Sequence, residues 1–280
     1  MPPWYLCIVM NQKISGKSIL ITGSTNGLGL ACARALADAG ARLFLHGRDA
    51  GKLKRAAADA EGRGAAVQTF QADLSSLEET AGLARSIARA GQPDILINNA
   101  GIGFGSNGSL RELSRDGHEL RFAVNYLAPF LLAETLARGG LPRLALINVA
   151  SAGQETLDFE DLMTQHGYSG VRAYCRSKLA LIMMTFDLAA LHPVVQVQSL
   201  HPGTYLDTGM VREAGITPLG PVSQGVDSIL SVMSAALDGT VASGGYFDRA
   251  RPARALAQAY STAARQRLRE ASLELVARWL

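Results

Sequence analysis

At 280 residues the chain is long enough for one α/β domain with a sizeable core. A hydrophobic share of 48% against 18% charged excludes a disordered chain, and a net charge of +3 without Lys/Arg clusters gives nucleic-acid binding no support. Three cysteines, Cys7, Cys32 and Cys175, lack metal-ligand spacing and a disulfide framework; they predict reduced thiols, a cytoplasmic protein and no metal site.

The opening MPPWYLCIVM is apolar but too short to span a membrane, and it lacks the basic region and small-residue cleavage site of a signal peptide. Met10 begins MNQKISGKSILITG, which reads as a domain start. Residues 1–12 are therefore expected to be an extension, with 1–9 an upstream start or a flexible extension, and 13–280 one domain. SILIT (18–22) is a short β-rich run ending in a glycine-rich turn, and LGLACARALADAG (28–40) a helix stopped by Gly40. RLFLH (42–46) is a strand, DAGKLKRAAADAEGRG a helix, VQTFQ (67–71) a strand and SLEETAGLARSIARAG a helix. PDILIN (93–98) and RLALINVA (143–150) are strands around a long helix over about 116–138. A helix bearing Tyr174 and Lys178 follows, then strand VVQVQSL (194–200), helix VSQGVDSILSVMSAALDG, a last edge strand in GGYFD and a helical tail from about Pro252. The alternation predicts an α/β fold: a doubly wound, Rossmann-type parallel sheet of about seven strands with helices on both faces. Ligands in such a sheet bind beyond the carboxyl ends of the strands.

The residues that carry chemistry sit at those ends. Gly23-Ser24-Thr25-Asn26-Gly27-Leu28-Gly29 joins the first strand to the first helix, and its glycines let the backbone approach a pyrophosphate at the helix N-terminus. Tyr174 and Lys178 stand one helical turn apart, so a cation lies within reach of a phenol and is expected to lower its pKa. Alone, such a pair is common on an amphipathic surface. Cys175 beside it reads as a packed helix residue before a nucleophile.

The ordered set resembles the short-chain dehydrogenase/reductase family, from Lys13 onward. TGSTNGLG is similar to its nucleotide loop, Asp73-Leu74 to its adenine-side acid, and Asn98-Asn99-Ala100-Gly101 to its NNAG. Asn125, Ser151, Tyr174 and Lys178 match its catalytic tetrad, and Pro202-Gly203 its PG motif. The resemblance implies an NADP(H)- or NAD(H)-dependent enzyme acting on a small-molecule carbonyl or alcohol. Tyr174 would give the proton, Ser151 a second hydrogen bond, and Lys178 would hold the nicotinamide ribose while tuning Tyr174. Asn125 would position a water linked to Lys178. Asn98 has a second reading, bonding neighbouring backbone alone. The long stretch QETLDFEDLMTQHGYSGVR before Tyr174 resembles the branch that includes retinol dehydrogenases and protochlorophyllide reductases, known for bulky apolar substrates. Residues 204–221 should form a substrate lid, with Thr204 reaching toward the carboxamide and Met210, Val211 and Ile216 available as lining. His166, His192 and His201 read as solvated, capping or strand-end residues. A homodimer or homotetramer is expected, without nucleic acid or membrane.

The cofactor expectation comes from the second strand. The position of an acid that would bind a ribose 2′-hydroxyl falls on Gly47, and Arg48 follows with a donor fork suited to a 2′-phosphate. Asp49 could supply the acid instead, but its place favours capping the next helix. NADP(H) is therefore expected ahead of NAD(H), although Asn26 does not add a second cation. Two rival readings are a non-catalytic nucleotide sensor, which would be expected to lose Tyr or Lys of the tetrad, and an extended-fold epimerase or dehydratase, which would need a separate substrate segment.

Overall fold

The structure is a computed structural model that describes residues 13–105, 108–138 and 145–280. The extension expected at 1–12 and the first two residues of the strand expected at 143–150 lie outside the described residues. The remainder builds one sheet of eight strands, numbered in chain order and arranged β3-β2-β1-β4-β5-β6-β7-β8, the last being β8 (Arg251–Pro252). Its parallel strands are β1 (Ser18–Ile21), β2 (Arg42–Gly47), β3 (Val67–Gln71), β4 (Ile95–Asn98), β5 (Ala145–Val149), β6 (Gln196–His201) and β7 (Gly245–Asp248). Continuous apolar runs such as SILI and ILIN are buried along their length, as strands covered on both faces require. Alternation splits each strand between two cores: Ile19, Ile21, Leu43, Leu45, Ile95 and Ile97 point to one side. Leu20, Phe44, Leu96 and Leu146 point to the other.

Helices α1 (Gly27–Asp38), α2 (Ala50–Gly62) and α7 (Val222–Leu237) cover the first face; α3 (Leu77–Ala90), α4 (120–138) and α5 (Gly170–Leu191) cover the second. The chain order reverses between β1 and β4, so the loops after these strands open a crevice there. No helix among the described residues is long and apolar enough to cross a membrane.

Four expectations are corrected. The long helix begins at Leu120 rather than near 116, because the Glu119 carboxylate caps the Phe122 N–H at 2.7 Å. α4 then runs as Leu120–Phe122, a π-helical turn Ala123–Leu127 and Ala128–Arg138. GGYFD is not the edge: β8 (Arg251–Pro252) pairs antiparallel outside it. The lid contains a short helix, α6 (Gly209–Glu213), and the helical tail starts only at α8 (Thr262–Val276), after a 3-10 turn at Ala257–Tyr260.

The tail has a structural task. α8 lies over α4 and α5, where Tyr126 and Ser272 hydroxyls pair at 2.7 Å in the interior. Arg269 reaches Glu134 on α4 at 2.7 Å and Asp187 on α5 at 3.4 Å. The stretch before α5 holds no helix or strand from 152 to 169, yet it is tied down. The Leu157 N–H donates to Gln258 Oε1 at 2.7 Å, and Gln258 Nε2 donates back to the Leu157 carbonyl at 3.0 Å. Arg267 pairs with Glu160, and Arg111 donates to the Met163 carbonyl.

Candidate active site

The glycine loop is shaped by how little room it leaves. Gly23 adopts φ +66, and a Cβ there would come 2.9 Å from the Ala100 Cα. A Cβ on Gly29 would meet the Gly23 carbonyl at 2.2 Å and Asn99 Nδ2 at 2.4 Å. Asn99 Nδ2 donates to the carbonyls of Thr22 and Gly23, and the N–H groups of Asn99 and Ala100 donate to Thr22 Oγ1, each at 3.0 Å. The loops after β1 and β4 are thus one unit. Asn26 caps α1 by accepting the Gly27 N–H at 2.8 Å, and the first-turn donors that follow face out of the helix end.

Beneath this loop lies a residue that sequence reasoning missed. His46 is buried at the end of β2, accepts the Gly23 N–H on Nδ1 at 3.1 Å, and pairs through Nε2 with the Ala72 carbonyl at 3.1 Å. Burial holds the ring down to about 4, so it is neutral and donates from Nε2. Ser24, expected among the cofactor contacts, is fully buried, and its hydroxyl bonds the His46 main chain in both directions. Its side chain therefore faces the sheet and not the crevice.

At the other end of the loop a Cβ on Gly47 would strike Thr25 Cγ2 at 2.4 Å, so glycine here is required by packing as well as by any ligand. Arg48 is exposed. Asp49 caps α2, accepting the Lys52 N–H at 2.8 Å, which holds its carboxyl below the usual range. Asp73 stands at the rim; burial raises its carboxyl, but hydrogen bonds from Ser75 and the charges of Arg115 and Arg48 outweigh that and leave it low. Leu74 is buried in the core. A cavity of about 420 Å³ opens beside Thr25, Asn26, Lys52 and Arg55, at this end and not at the tetrad.

The tetrad converges from three elements. Ser151, just past β5, accepts the Gly153 N–H on its hydroxyl at 3.0 Å and lies beside Tyr174, whose phenol it pulls down in part. Lys178 is buried and donates to the Val149 carbonyl at 2.8 Å, with Nζ 5.7 Å from the centre of the Tyr174 ring. Asn125, in the π turn, accepts the Ile102 N–H at 2.8 Å and donates to the Ile102 carbonyl and Ser177. Its amide is first a clamp on the loop after β4, which the water-holding role expected of it did not include. Asn98 Nδ2 donates to Asn148 Oδ1 at 2.9 Å, a side-chain partner and not the neighbouring backbone of its second reading, and its own Oδ1 has no hydrogen-bond partner.

One electrostatic expectation is reversed. Lys178 does not pull the Tyr174 phenol down. Burial pushes that phenol up, and the Ser151 hydrogen bond offsets only part of the rise. Burial instead takes the Lys178 ammonium down to about 8. Tyr174 as a whole is only partly buried, but burial keeps its phenol protonated at neutral pH.

The lid is folded down. Thr208 packs on Gly27, with Cγ2 3.4 Å from where a Cβ would sit, and Met210 fills the space over Gly103 at 2.7 Å from such a position. Thr208 was not anticipated, while Thr204 is exposed and pairs with His201 at 3.0 Å. Pro202 holds α7 by accepting the Ser228 hydroxyl at 3.0 Å. His192 caps the end of α5, and His166 lies exposed beside Asp161.

The family model for short chain dehydrogenase matches residues 17–218. A protein described as a candidate daunorubicin C-13 ketoreductase from Streptomyces sp. (strain C5) is 35% identical over 84% of this chain and 84% of its own. Retinol dehydrogenase 13 of Homo sapiens is 34% identical over 75% of this chain and 67% of its own. Among solved structures, an uncharacterized protein from Mycobacterium Paratuberculosis superposes with TM-score 0.75 at 25% identity, covering 94% of both chains. A short-chain dehydrogenase from Sphingobium yanoikuyae in complex with NADPH does so with TM-score 0.65 at 25% identity, over 79% of this chain and 85% of that one.

Proposed function

From the premise that this chain belongs to the short-chain dehydrogenase family, in the branch that includes the retinol dehydrogenases, we propose that it is an NADP(H)-dependent oxidoreductase acting on the carbonyl or alcohol of an apolar small molecule. The observation that carries the reading is the gathering of Ser151, Tyr174 and buried Lys178, with Lys178 Nζ 5.7 Å from the Tyr174 ring centre, under a lid packed on Gly27 and Gly103. A bound reduced nicotinamide would supply the hydride. The raised phenol keeps Tyr174 protonated at neutral pH, ready to donate as negative charge grows on a carbonyl oxygen, and Ser151 offers that oxygen a second donor. The residues fit such a cofactor. The loop glycines leave α1's first-turn donors open to a diphosphate, and Gly101 lies bare between Asn125 and Lys178. Arg48 offers its guanidinium where no acid stands at Gly47.

Relatives named as a C-13 ketoreductase and as retinol dehydrogenases support a carbonyl/alcohol couple. All four tetrad residues are present together, which disfavours a non-catalytic sensor. The homo-oligomer expected from the resemblance would pair α4 and α5 across a two-fold axis. α8 covers that side of the chain, which supports assembly through another surface. Free Cys32 and Cys175 support a reducing, cytoplasmic setting. The test is a panel of ketones, aldehydes and alcohols with NADPH, NADP, NADH and NAD, read by cofactor absorbance. Carbonyl-dependent loss of NADPH is expected; tight NADPH binding without turnover of any carbonyl or alcohol would overturn the reading in favour of a sensor.

A further inference from the structure

The loop after β4 contains Gly103-Phe104-Gly105, a bulky ring between two residues that impose no conformation of their own. A single guanidinium fixes all three. Arg121, only 1% exposed, donates from Nε to the Gly103 carbonyl and from Nη2 to the Phe104 carbonyl, each at 3.1 Å. Gly105 is at φ +84, and a Cβ on it would lie 2.5 Å from Arg121 Nη2. The remaining donors reach Tyr168 Oη at 2.9 Å, Glu112 Oε2 at 2.8 Å and Glu119 Oε1 at 3.4 Å, while the Tyr168 hydroxyl donates to Glu119 at 3.0 Å. One turn further along, Asn125 holds Ile102 through both main-chain groups. α4 therefore grips residues 102–104 unit by unit. α5 closes on the same spot: a Cβ on Gly170 would come 2.2 Å from the Phe104 carbonyl. A buried cation with two carboxylates is a costly way to pack a loop that apolar side chains could fill, so what it contributes is geometry.

The geometry matters because of where the ring lies. Phe104 meets Tyr174 edge-on, centroids 4.9 Å apart at 82°, and remains partly exposed. Gly153 also borders Tyr174: its missing Cβ would stand 3.9 Å from Tyr174 Cε1 and 3.3 Å from the Cys175 sulfur. Met210 of the lid closes over Gly103, next to Phe104. A carbonyl approaching the Tyr174 hydroxyl is thus flanked by a large fixed ring and by a position with no side chain.

We propose that Phe104 is a specificity-determining residue, a wall that admits only the smaller substituent of a ketone on its side of Tyr174, and that Arg121 is the positioning residue that holds the wall in place. The proposal rests on the reading of the chain as a carbonyl reductase. It implies that unsymmetrical ketones are reduced to mainly one enantiomer, with the larger group lying toward Gly153.

The test uses the full chain with NADPH and aryl alkyl ketones that differ only in alkyl length, from methyl to butyl, scoring kcat/KM and product enantiomers. Wild type should favour the methyl ketone and give one enantiomer. Phe104→Ala should raise the butyl-to-methyl ratio of kcat/KM by about tenfold or more and lower the enantiomeric excess, since a few methylenes against a fixed wall are worth at least that. NADPH binding, measured by fluorescence titration, should not change. Tyr168→Phe removes one hydroxyl from the Arg121 cluster and spares the fold, so it guards against an Arg121→Met variant that fails to fold. It should move both readouts the same way by less, and add nothing in the Phe104→Ala background, because residues acting through one contact are not additive. An unchanged ratio and enantiomeric excess in Phe104→Ala, with wild type active, would overturn the wall. Full additivity of Tyr168→Phe would overturn the positioning role. A wild type that turns over no carbonyl or alcohol in the wider panel defeats the functional reading itself, and this proposal with it.

Discussion

The two ends of the crevice are built on opposite principles. At the tetrad the polar groups are withdrawn from water: Lys178 and Asn125 are buried, and Tyr174 and Ser151 are partly buried beside each other. Three of them are also held by the main chain, Lys178 by Val149, Asn125 by Ile102 and Ser151 by Gly153. At the outer end Arg48 and Asp49 stand in solvent on the first turn after β2, and only a helix cap fixes Asp49. Burial sets protonation states and geometry at the first end, whereas solvent screens individual charges at the second. Substitutions should therefore have large effects at the tetrad and graded ones outside.

The largest effect tests the buried end. Tyr174→Phe keeps the ring, and with it the edge contact to Phe104, and removes only the hydroxyl. It should lower kcat by about 10²-fold or more, the usual scale for a general acid, while NADPH titrates as in wild type. Turnover at the wild-type rate would show that another group delivers the proton.

This end also shows what could be read in the sequence. The spacing of Tyr174 and Lys178 placed both on one helix, and the apolar strand runs placed Ser151, Asn99 and Gly23 at strand ends, because burial on both faces of a parallel sheet leaves a continuous pattern. Protonation was not legible. It depends on how much protein surrounds each group, and the expected fall of the Tyr174 phenol became a rise. Nor were the clamps between distant segments: Gln258 on Leu157 and Arg121 on Phe104 join stretches whose spacing carries no periodic signal. The π turn at Asn125 and the two-residue β8 are likewise products of tertiary packing. His46 was read only as the end of a strand, since a lone histidine does not announce its partners.

His46 supplies the next effect in size, at the buried foot of the exposed end. Its pKa is held to about 4 against 6.5 for a free imidazole, mainly by burial, with the Ala72 hydrogen bond and the Asp73 charge opposing. Above pH 6.5 the ring is neutral in both states and its contribution is complete. Below that, the unfolded chain takes a proton that the folded chain refuses until about pH 4, so stability falls across this window, by about 3 kcal/mol in all. His46→Asn keeps an acceptor for the Gly23 N–H but does not titrate. Urea midpoints at pH 7 and pH 4.5 should therefore separate more for wild type than for the variant. Equal acid losses in the two proteins would assign the effect to carboxylates such as Asp73.

Arg48→Ala comes third. Losing one charge-assisted contact to a 2′-phosphate should lower kcat/KM with NADPH by about 10- to 100-fold and leave NADH nearly unchanged. Equal losses with both cofactors would mean that Arg48 serves the loop and not the phosphate.

The smallest effect decides between the two readings of Asp49. Its carboxylate accepts the Lys52 N–H at 2.8 Å and stays ionised, one residue from Arg48. If it is a cap and no more, its charge sits near the place where a 2′-phosphate would lie and opposes it through solvent. Asp49→Asn keeps an oxygen for the Lys52 N–H, because Asn caps helices about as well as Asp, so thermal stability should not change. Removing one screened repulsion should then strengthen NADPH binding by about two- to five-fold, the scale of exposed charge pairs, and the gain should shrink as salt is raised. NADH, which lacks the phosphate, should bind as before. If Asp49 instead accepts the ribose 2′-hydroxyl, the same substitution replaces a charged acceptor by a neutral one. NADH binding would then weaken while NADPH binding did not improve. Fluorescence titration of both cofactors at low and high salt separates the two outcomes, and a selective loss with NADH would move the acid of the site from the absent position at Gly47 to Asp49.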